Sequence, residues 1–240
     1  MDDIAANLQV VRERITRAAE RSYRSASAVT LVAVSKMVSV ERIREAVQTG
    51  ITDFGENRVQ EAEVKFAVIG ESTGEKVSRE GISLHMIGTL QRNKARHAAP
   101  LFDWVHSVDR PELAGALDKA VESEGLQDRL LPILLQMNLT EEPTKSGVYA
   151  ADLPKLADSL ANCAHLKAEG LMTIARLGAS EGELHHTFSA LRRLVEDLRR
   201  THPGDWHHLS MGMSDDYEIA IEEGATIVRI GRAIFGERNA

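Results

Sequence analysis

The chain has 240 residues, 43% of them hydrophobic, enough to bury one sizeable core. Its formal net charge of −7 excludes the basic surplus of a general nucleic-acid binder. A single cysteine, Cys163, excludes an internal disulfide and a cysteine-built metal site, and reads as a small buried apolar residue.

Ile4, Leu8, Val11 and Ile15 recur on one helical face, so the chain opens with a helix over 4–21. The run 29–35, Val-Thr-Leu-Val-Ala-Val-Ser, is too apolar for a half-exposed strand and predicts one buried on both faces. Ser39 caps a second helix whose inner face holds Ile43, Ala46 and Val47. A short strand at 52–54 precedes a helix over 57–68, and the polar, glycine-bearing stretch 70–81 reads as a surface loop. A third strand, 83–87, leads to a basic helix from Gln91 and a fourth strand at 104–108.

Asp109-Arg-Pro-Glu112 has the form of a capped helix start, with Leu113, Leu117 and Val121 turned inward. The fifth strand spans 131–137, with Pro132 near its beginning. A helix around Leu153, Leu156 and Leu160 leads to a sixth strand at 166–172. Ser180-Glu-Gly-Glu183 fits a capping box, after which Leu184, Phe188, Leu191, Val195 and Leu198 keep helical spacing. A seventh strand at 206–209, a helix over 215–221, an eighth strand at 225–230 and a short helix after Gly231 complete the order.

Strands alternating with helices mean a parallel sheet. Eight of them in a chain of this size fit an α/β fold of the (β/α)₈ TIM type, one domain over 1–240 with an extra N-terminal helix. Scarce aromatics, 4%, suit a barrel filled by branched aliphatic side chains. A doubly wound open sheet is the competing fold, although no Gly-x-Gly-x-x-Gly turn follows the first strand. No segment approaches the roughly 18 apolar residues of a membrane span. Asp2 and Asp3 carry the wrong charge for a secretory leader, so a cytoplasmic location is expected.

Active sites of such barrels lie at the C-terminal ends of the strands. Lys36 directly follows the most apolar strand. Its position allows two readings: an ammonium that reaches solvent, or an amine held at the barrel mouth where it attacks an aldehyde. Ser210-Met-Gly-Met-Ser214 follows strand seven and Gly231 follows strand eight, where barrels often bind phosphate. Ordinary turns are the alternative. Arg229 sits inside an interior-type strand, either in a buried ion pair or facing a ligand acceptor. The adjacent histidines His185-His186 and His207-His208 diverge and make no metal site. Arg92, Lys94, Arg96 and His97 read as a solvated basic face, with an anionic partner as the alternative.

Taken in order, several segments resemble the pyridoxal phosphate homeostasis protein family, itself similar to the barrel domain of fold-type III enzymes such as alanine racemase. They are Leu31-Val-Ala-Val-Ser-Lys36, Phe54-Gly-Glu-Asn57 with Val59-Gln-Glu61, His85-Met-Ile-Gly88 with Leu90-Gln-Arg-Asn-Lys94, Thr144-Lys-Ser-Gly147, Gly170-Leu-Met-Thr173, Ser210-Met-Gly-Met-Ser-Asp215 and Val228-Arg-Ile-Gly231. Thr89 and Arg92 depart from the family pattern, which has histidine and serine there. The resemblance implies pyridoxal 5′-phosphate (PLP) as cofactor, bound as a Schiff base on Lys36. The glycine turns by themselves suggest a phosphate cradle built from the backbone near Gly212 and Gly231 with the Ser210 hydroxyl. The resemblance further implies a phosphate held by Ser210, Gly231 and Arg232, the latter two partly through backbone N–H groups, with Arg229 at the pyridine nitrogen and Asn57 and Met211 lining the ring.

Resembling racemases carry a second domain and take a catalytic tyrosine from a partner subunit. Here the chain ends at Ala240, and Tyr23, Tyr149 and Tyr217 have no counterpart role. No residue is therefore assigned to catalysis. The expected function is a PLP carrier in vitamin B6 homeostasis that serves PLP-dependent apoenzymes as a monomer or weak dimer. A small racemase or lyase on the same barrel is the alternative.

Overall fold

Buried β-branched runs pair side by side because amphipathic helices return the chain between them and cover the sheet. The computed structural model describes residues 3–71, 81–126, 128–140, 142 and 145–237. The polar loop expected over 70–81 lies, apart from its ends, outside the described residues, as does Thr144.

The strands are β1 (Thr30–Val34), β2 (Asp53–Glu56), β3 (Ser83–Met86), β4 (Trp104–Val108), β5 (Leu131–Met137), β6 (Leu166–Thr173), β7 (His208–Ser210) and β8 (Ile227–Ile230). The helices are α1 (Ile4–Arg21), α2 (Val40–Gln48), α3 (Val59–Glu71), α4 (Ala95–Leu101), α5 (Pro111–Ser123), α6 (Leu153–Ser159), α7 (Glu181–Thr201), α8 (Tyr217–Glu222) and α9 (Arg232–Phe235). All strand pairs are parallel and β8 closes on β1, giving the expected eight-stranded barrel with α1 as the additional helix. Among the described residues, no helix is long and apolar enough to cross a membrane.

Sequence sets the helix starts through side-chain caps. Asp3 accepts the Ala5 N–H at 2.9 Å, Ser39 caps α2, and Ser180 with Glu183 forms the expected capping box of α7. The start of α5 differs from expectation. Arg110 precedes it with no side-chain cap, because the Asp109 carboxylate pairs with the Arg110 guanidinium instead. The seventh strand also begins later than expected, since Trp206 has φ 24°, outside the strand region, and its ring is buried.

The larger core lies between barrel and helices, where Phe54, Phe66, Phe102 and Phe188 are fully buried. Each such burial stabilises by roughly 1.5–3 kcal/mol. Inside the barrel, the apolar group is small: Val32, Leu134, Met172 and Ile227, with Trp104 and Ile174 against it. The expectation of an aliphatic filling is therefore corrected. His85, His106, Ser210 and Arg229 are also buried on strands of the barrel, and they bond to one another.

Candidate functional site

Strand alternation puts Val32, Val34 and Lys36 on one side of β1, and Val32 belongs to the barrel interior. Lys36 thus leaves β1 toward the mouth. The turn that carries it is clamped from the opposite side. Ser35 Oγ donates to Glu56 Oε1 at 2.7 Å, and Lys65 Nζ donates to Ser35 O at 2.7 Å and to Glu56 Oε1 at 3.1 Å. Glu61 accepts both Lys65 Nζ and the Met37 N–H, each at 2.5 Å. Met37 itself is held at φ 58°, a left-handed conformation that a non-glycine residue adopts only when its surroundings enforce it. Burial pushes the Glu56 carboxyl up, against the opposing pull of Lys65 and Ser35. Glu61 is also penalised by burial, yet the Lys65 and Met37 bonds hold it below its ordinary value. Among the described residues, Lys36 has no hydrogen-bond or ion-pair partner.

Two turns meet beside β1 at the ends of β7 and β8. Gly212 has φ +92°, and a Cβ there would lie 2.6 Å from the Ala220 Cβ, so only glycine fits this turn. Its carbonyl accepts the Arg229 N–H at 3.0 Å. Ser214 Oγ accepts the Ala233 N–H at 3.4 Å and ties the first turn to the short α9, whose N-cap is Gly231. The buried Asp216 carboxylate accepts the Met213 N–H at 2.5 Å; burial pushes its pKa up despite that bond. The Arg232 guanidinium pairs with Asp215 and, at 3.3 Å, with Glu237.

Arg229 is 4% exposed, and its guanidinium donates to Ser210 Oγ at 2.6 Å and to Thr173 O at 2.8 Å. It has no ion-pair partner among the described residues. Burial lowers its pKa to about 10, with Asp216 opposing, so it stays cationic at neutral pH. From Ser210 a chain of polar groups continues into the barrel. His106 Nδ1 lies 3.0 Å from Ser210 Oγ, His106 Nε2 lies 3.0 Å from His85 Nδ1, and His85 Nε2 lies 3.0 Å from Asp53 Oδ1. Burial, then the nearby His85, Arg229 and His208, hold His106 well below the usual histidine range.

Lys36, Ser210, Gly212, Arg229, Gly231 and Arg232 all fall at the C-terminal ends of β1, β7 and β8, neighbours in the closed barrel. Asn57 follows β2 nearby, where Gly88 packs against its backbone. Two side chains sit elsewhere than expected. Ser210 is fully buried with its hydroxyl engaged by His106 and Arg229, so it does not face a phosphate turn. Met211 is fully buried in the core between barrel and helices, while Met172 occupies the interior. Lys65, Asp53 and His106 were not singled out in the sequence. The signal for His106 was a polar residue at the centre of an otherwise buried strand.

Comparison with known proteins identifies the family of the chain. The family described as alanine racemase, N-terminal domain, matches residues 1–239. A Pyridoxal phosphate homeostasis protein of Pseudomonas aeruginosa is 41% identical over 100% of this chain and 97% of its own length. One from Escherichia coli strain K12 is 40% identical, covering 100% of this chain and 98% of the relative. The solved structure of PipY from Synechococcus elongatus PCC7942, with PLP bound, superposes with a TM-score of 0.83 at 36% identity, covering 97% of this chain and 100% of that one.

Proposed function

Since the chain belongs to the alanine racemase N-terminal domain family and, within it, to the pyridoxal phosphate homeostasis proteins, we propose that it binds PLP to buffer and deliver it. The contrast between two lysines carries this reading. Lys65 Nζ is saturated by Ser35, Glu56 and Glu61, whereas Lys36 has no partner among the described residues. A rigid turn that presents an unengaged primary amine is suited to an aldehyde.

The remaining residues fit the same cofactor. Arg229 is a buried cation without an ion pair among the described residues, an arrangement that an incoming acceptor relieves. Ser214 supplies a hydroxyl beside the α9 turn, where the backbone N–H groups of Gly231 and Arg232 lack intrahelical partners and suit a phosphate. The phosphate hydroxyl assigned to Ser210 therefore passes to Ser214, and Arg232 contributes through its backbone because its side chain is paired with Asp215. Met172, which lies inside the barrel, replaces Met211 as the methionine assigned to the ring, and Asn57, just after β2 and next to β1 in the barrel, keeps its assignment.

When bound, PLP supplies an aldehyde that condenses reversibly with a primary amine. Lys36 presents that amine, and Ser214 with the α9 turn orients the phosphate end. Arg229, fixed by Ser210 and Thr173, opposes a proton on the ring nitrogen and so weakens the electron sink that deep carbanion chemistry needs. An arginine there does not by itself separate a carrier from a racemase; the kinship to homeostasis proteins is what favours a carrier without sustained turnover, working in the cytoplasm as a monomer or weak dimer and serving PLP-dependent apoenzymes.

Purified protein mixed with PLP is expected to show a visible band at about 420 nm that Lys36→Ala removes. Borohydride reduction, digestion and mass spectrometry should then put the label on Lys36. A label on another side chain, or none, overturns the assignment. Sustained conversion of an amino acid, lost in Lys36→Ala, would favour the racemase or lyase reading.

A further inference from the structure

The polar chain inside the barrel has a direction that its geometry determines. Arginine has only donors, so Arg229 gives a hydrogen to Ser210 Oγ at 2.6 Å. The single Ser210 proton must then go elsewhere, and the acceptor within reach is His106 Nδ1 at 3.0 Å. That leaves His106 Nδ1 bare and its proton on Nε2, which is 3.0 Å from His85 Nδ1. His85 Nδ1 is thereby an acceptor, so His85 carries its proton on Nε2, 3.0 Å from Asp53 Oδ1. Ser83 Oγ also lies near this nitrogen, at 3.2 Å. Every donor meets an acceptor, both rings are neutral, and the chain ends on a carboxylate. Reversing any member would set two donors or two acceptors face to face.

The chain also has a path in the fold. Asp53 is the first residue of β2, at the N-terminal opening, and lines a cavity of about 420 Å³ there with Arg12, Thr30 and Thr52. Its side chain is 23% exposed. His85 and His106 are the third residues of β3 and β4, and Ser210 ends β7. Four consecutive hydrogen bonds therefore cross the interior from one face of the barrel to the other. Trp104, stacked on His85 at 6.0 Å and edge-on to His106 at 6.2 Å, packs along the two rings.

We infer that Asp53, His85, His106 and Ser210 are positioning residues, forming a one-way relay that fixes Arg229 and couples the mouth of the barrel to its opposite face. Their role is to hold the Ser210 oxygen as an acceptor, which sets the plane of the guanidinium and leaves its other donors for a ligand. Besides Asp53, its terminal member, the titratable and charged groups that face the relay are Arg229 from β8 with Asp216 beside it, and His208 from β7 with Glu169 of β6 beside it. The effect on bound PLP rests on the function proposed above; the relay itself does not.

Histidine-selective 15N NMR of the cofactor-free protein tests the relay directly, with His85→Gln and His106→Gln used for assignment. Both rings are expected as neutral Nε2–H tautomers at neutral pH, and Asp53→Asn is expected to move the His106 resonances although Asp53 does not touch that ring. An Nδ1–H tautomer at either position, or a His106 signal indifferent to Asp53→Asn, overturns the inference. With PLP loaded, Asp53→Asn should shift the pH midpoint of the visible band by on the order of half a unit, and this shift should vanish in a His106→Gln background. Equal shifts in both backgrounds would overturn the coupling. A native protein with no visible band would instead defeat the cofactor reading, leaving the NMR outcome to decide the relay.

Discussion

Lys65 Nζ lies 2.7 Å from the carbonyl oxygen of Ser35, so a half-buried lysine on α3 grips the peptide immediately before Lys36. The grip is anchored because the same ammonium pairs with the fully buried Glu56 and with Glu61. One side chain thus holds the end of β1, the end of β2 and the start of α3 together.

Lys65→Met should therefore act on stability and on the site at once. Removing one partner leaves the Glu56 carboxylate buried and unpaired, which costs about 3–5 kcal/mol. Urea unfolding of the cofactor-free variant measures that loss, and PLP loading at Lys36 should weaken in parallel. The deficit should narrow as the pH falls, because protonating Glu56 removes the unpaired charge. Wild-type stability in Lys65→Met would show that the turn needs no such anchor.

The two serines of the β7 turn should separate cleanly. Ser214→Ala removes an exposed-side hydroxyl at the α9 turn, so PLP affinity should drop about tenfold while the unfolding midpoint stays put. Ser210→Ala strips a partner from both His106 and Arg229 inside the barrel, and should cost about 1–3 kcal/mol of stability. Equilibrium titration and urea melts of both variants check the pair. The opposite pattern would return the phosphate to Ser210.

Much of this arrangement was legible in the sequence for physical reasons. Continuous apolar runs and capped helical stripes carry the barrel, and Lys36, Gly212, Arg229 and Gly231 break those patterns where a barrel puts its site. What one-dimensional patterns do not carry is the partner of a side chain. Ser210 and Ser214 sit four residues apart in the same turn, and only the inward pointing of one strand end separates their roles. Lys65 reads as an ordinary surface residue of a helix until Glu56 arrives from a different element. The polar interior was missed because His85 and His106 lie 21 residues apart and become intelligible only as a pair.

The buried His106 makes stability pH-dependent in a definite direction. Its folded pKa is held well below the ordinary value, first by burial and then by His85, Arg229 and His208. Below about pH 6.5 the unfolded chain takes up a proton that the folded one refuses. The stabilisation present above that pH is therefore lost as the pH falls, at up to about 1.4 kcal/mol per pH unit from this group. Unfolding free energies at neutral and mildly acidic pH should show that slope in the native protein and a shallower one in His106→Gln. Equal slopes would mean that the ring is protonated in the folded barrel.

The last prediction concerns close approach at the mouth. A Cβ on Gly88 would lie 2.4 Å from the Asn57 carbonyl oxygen and 2.7 Å from its Cα, contacts with backbone that a rotamer change does not relieve. Gly88→Ala must push the β2 and β3 ends apart, at a cost of about 1–3 kcal/mol. The displaced residue, Asn57, flanks the proposed cofactor, so PLP affinity should fall as well. Gly115→Ala is the matched control, because its added Cβ meets nothing within 4 Å on α5. There the methyl group only restricts the unfolded chain and favours the helix, and should stabilise by roughly 0.5–1 kcal/mol. Urea midpoints moving in opposite directions for the two variants, with cofactor binding impaired in Gly88→Ala alone, is the expected result. Tolerance of Gly88→Ala in both assays would show that the mouth yields where the packing says it is rigid.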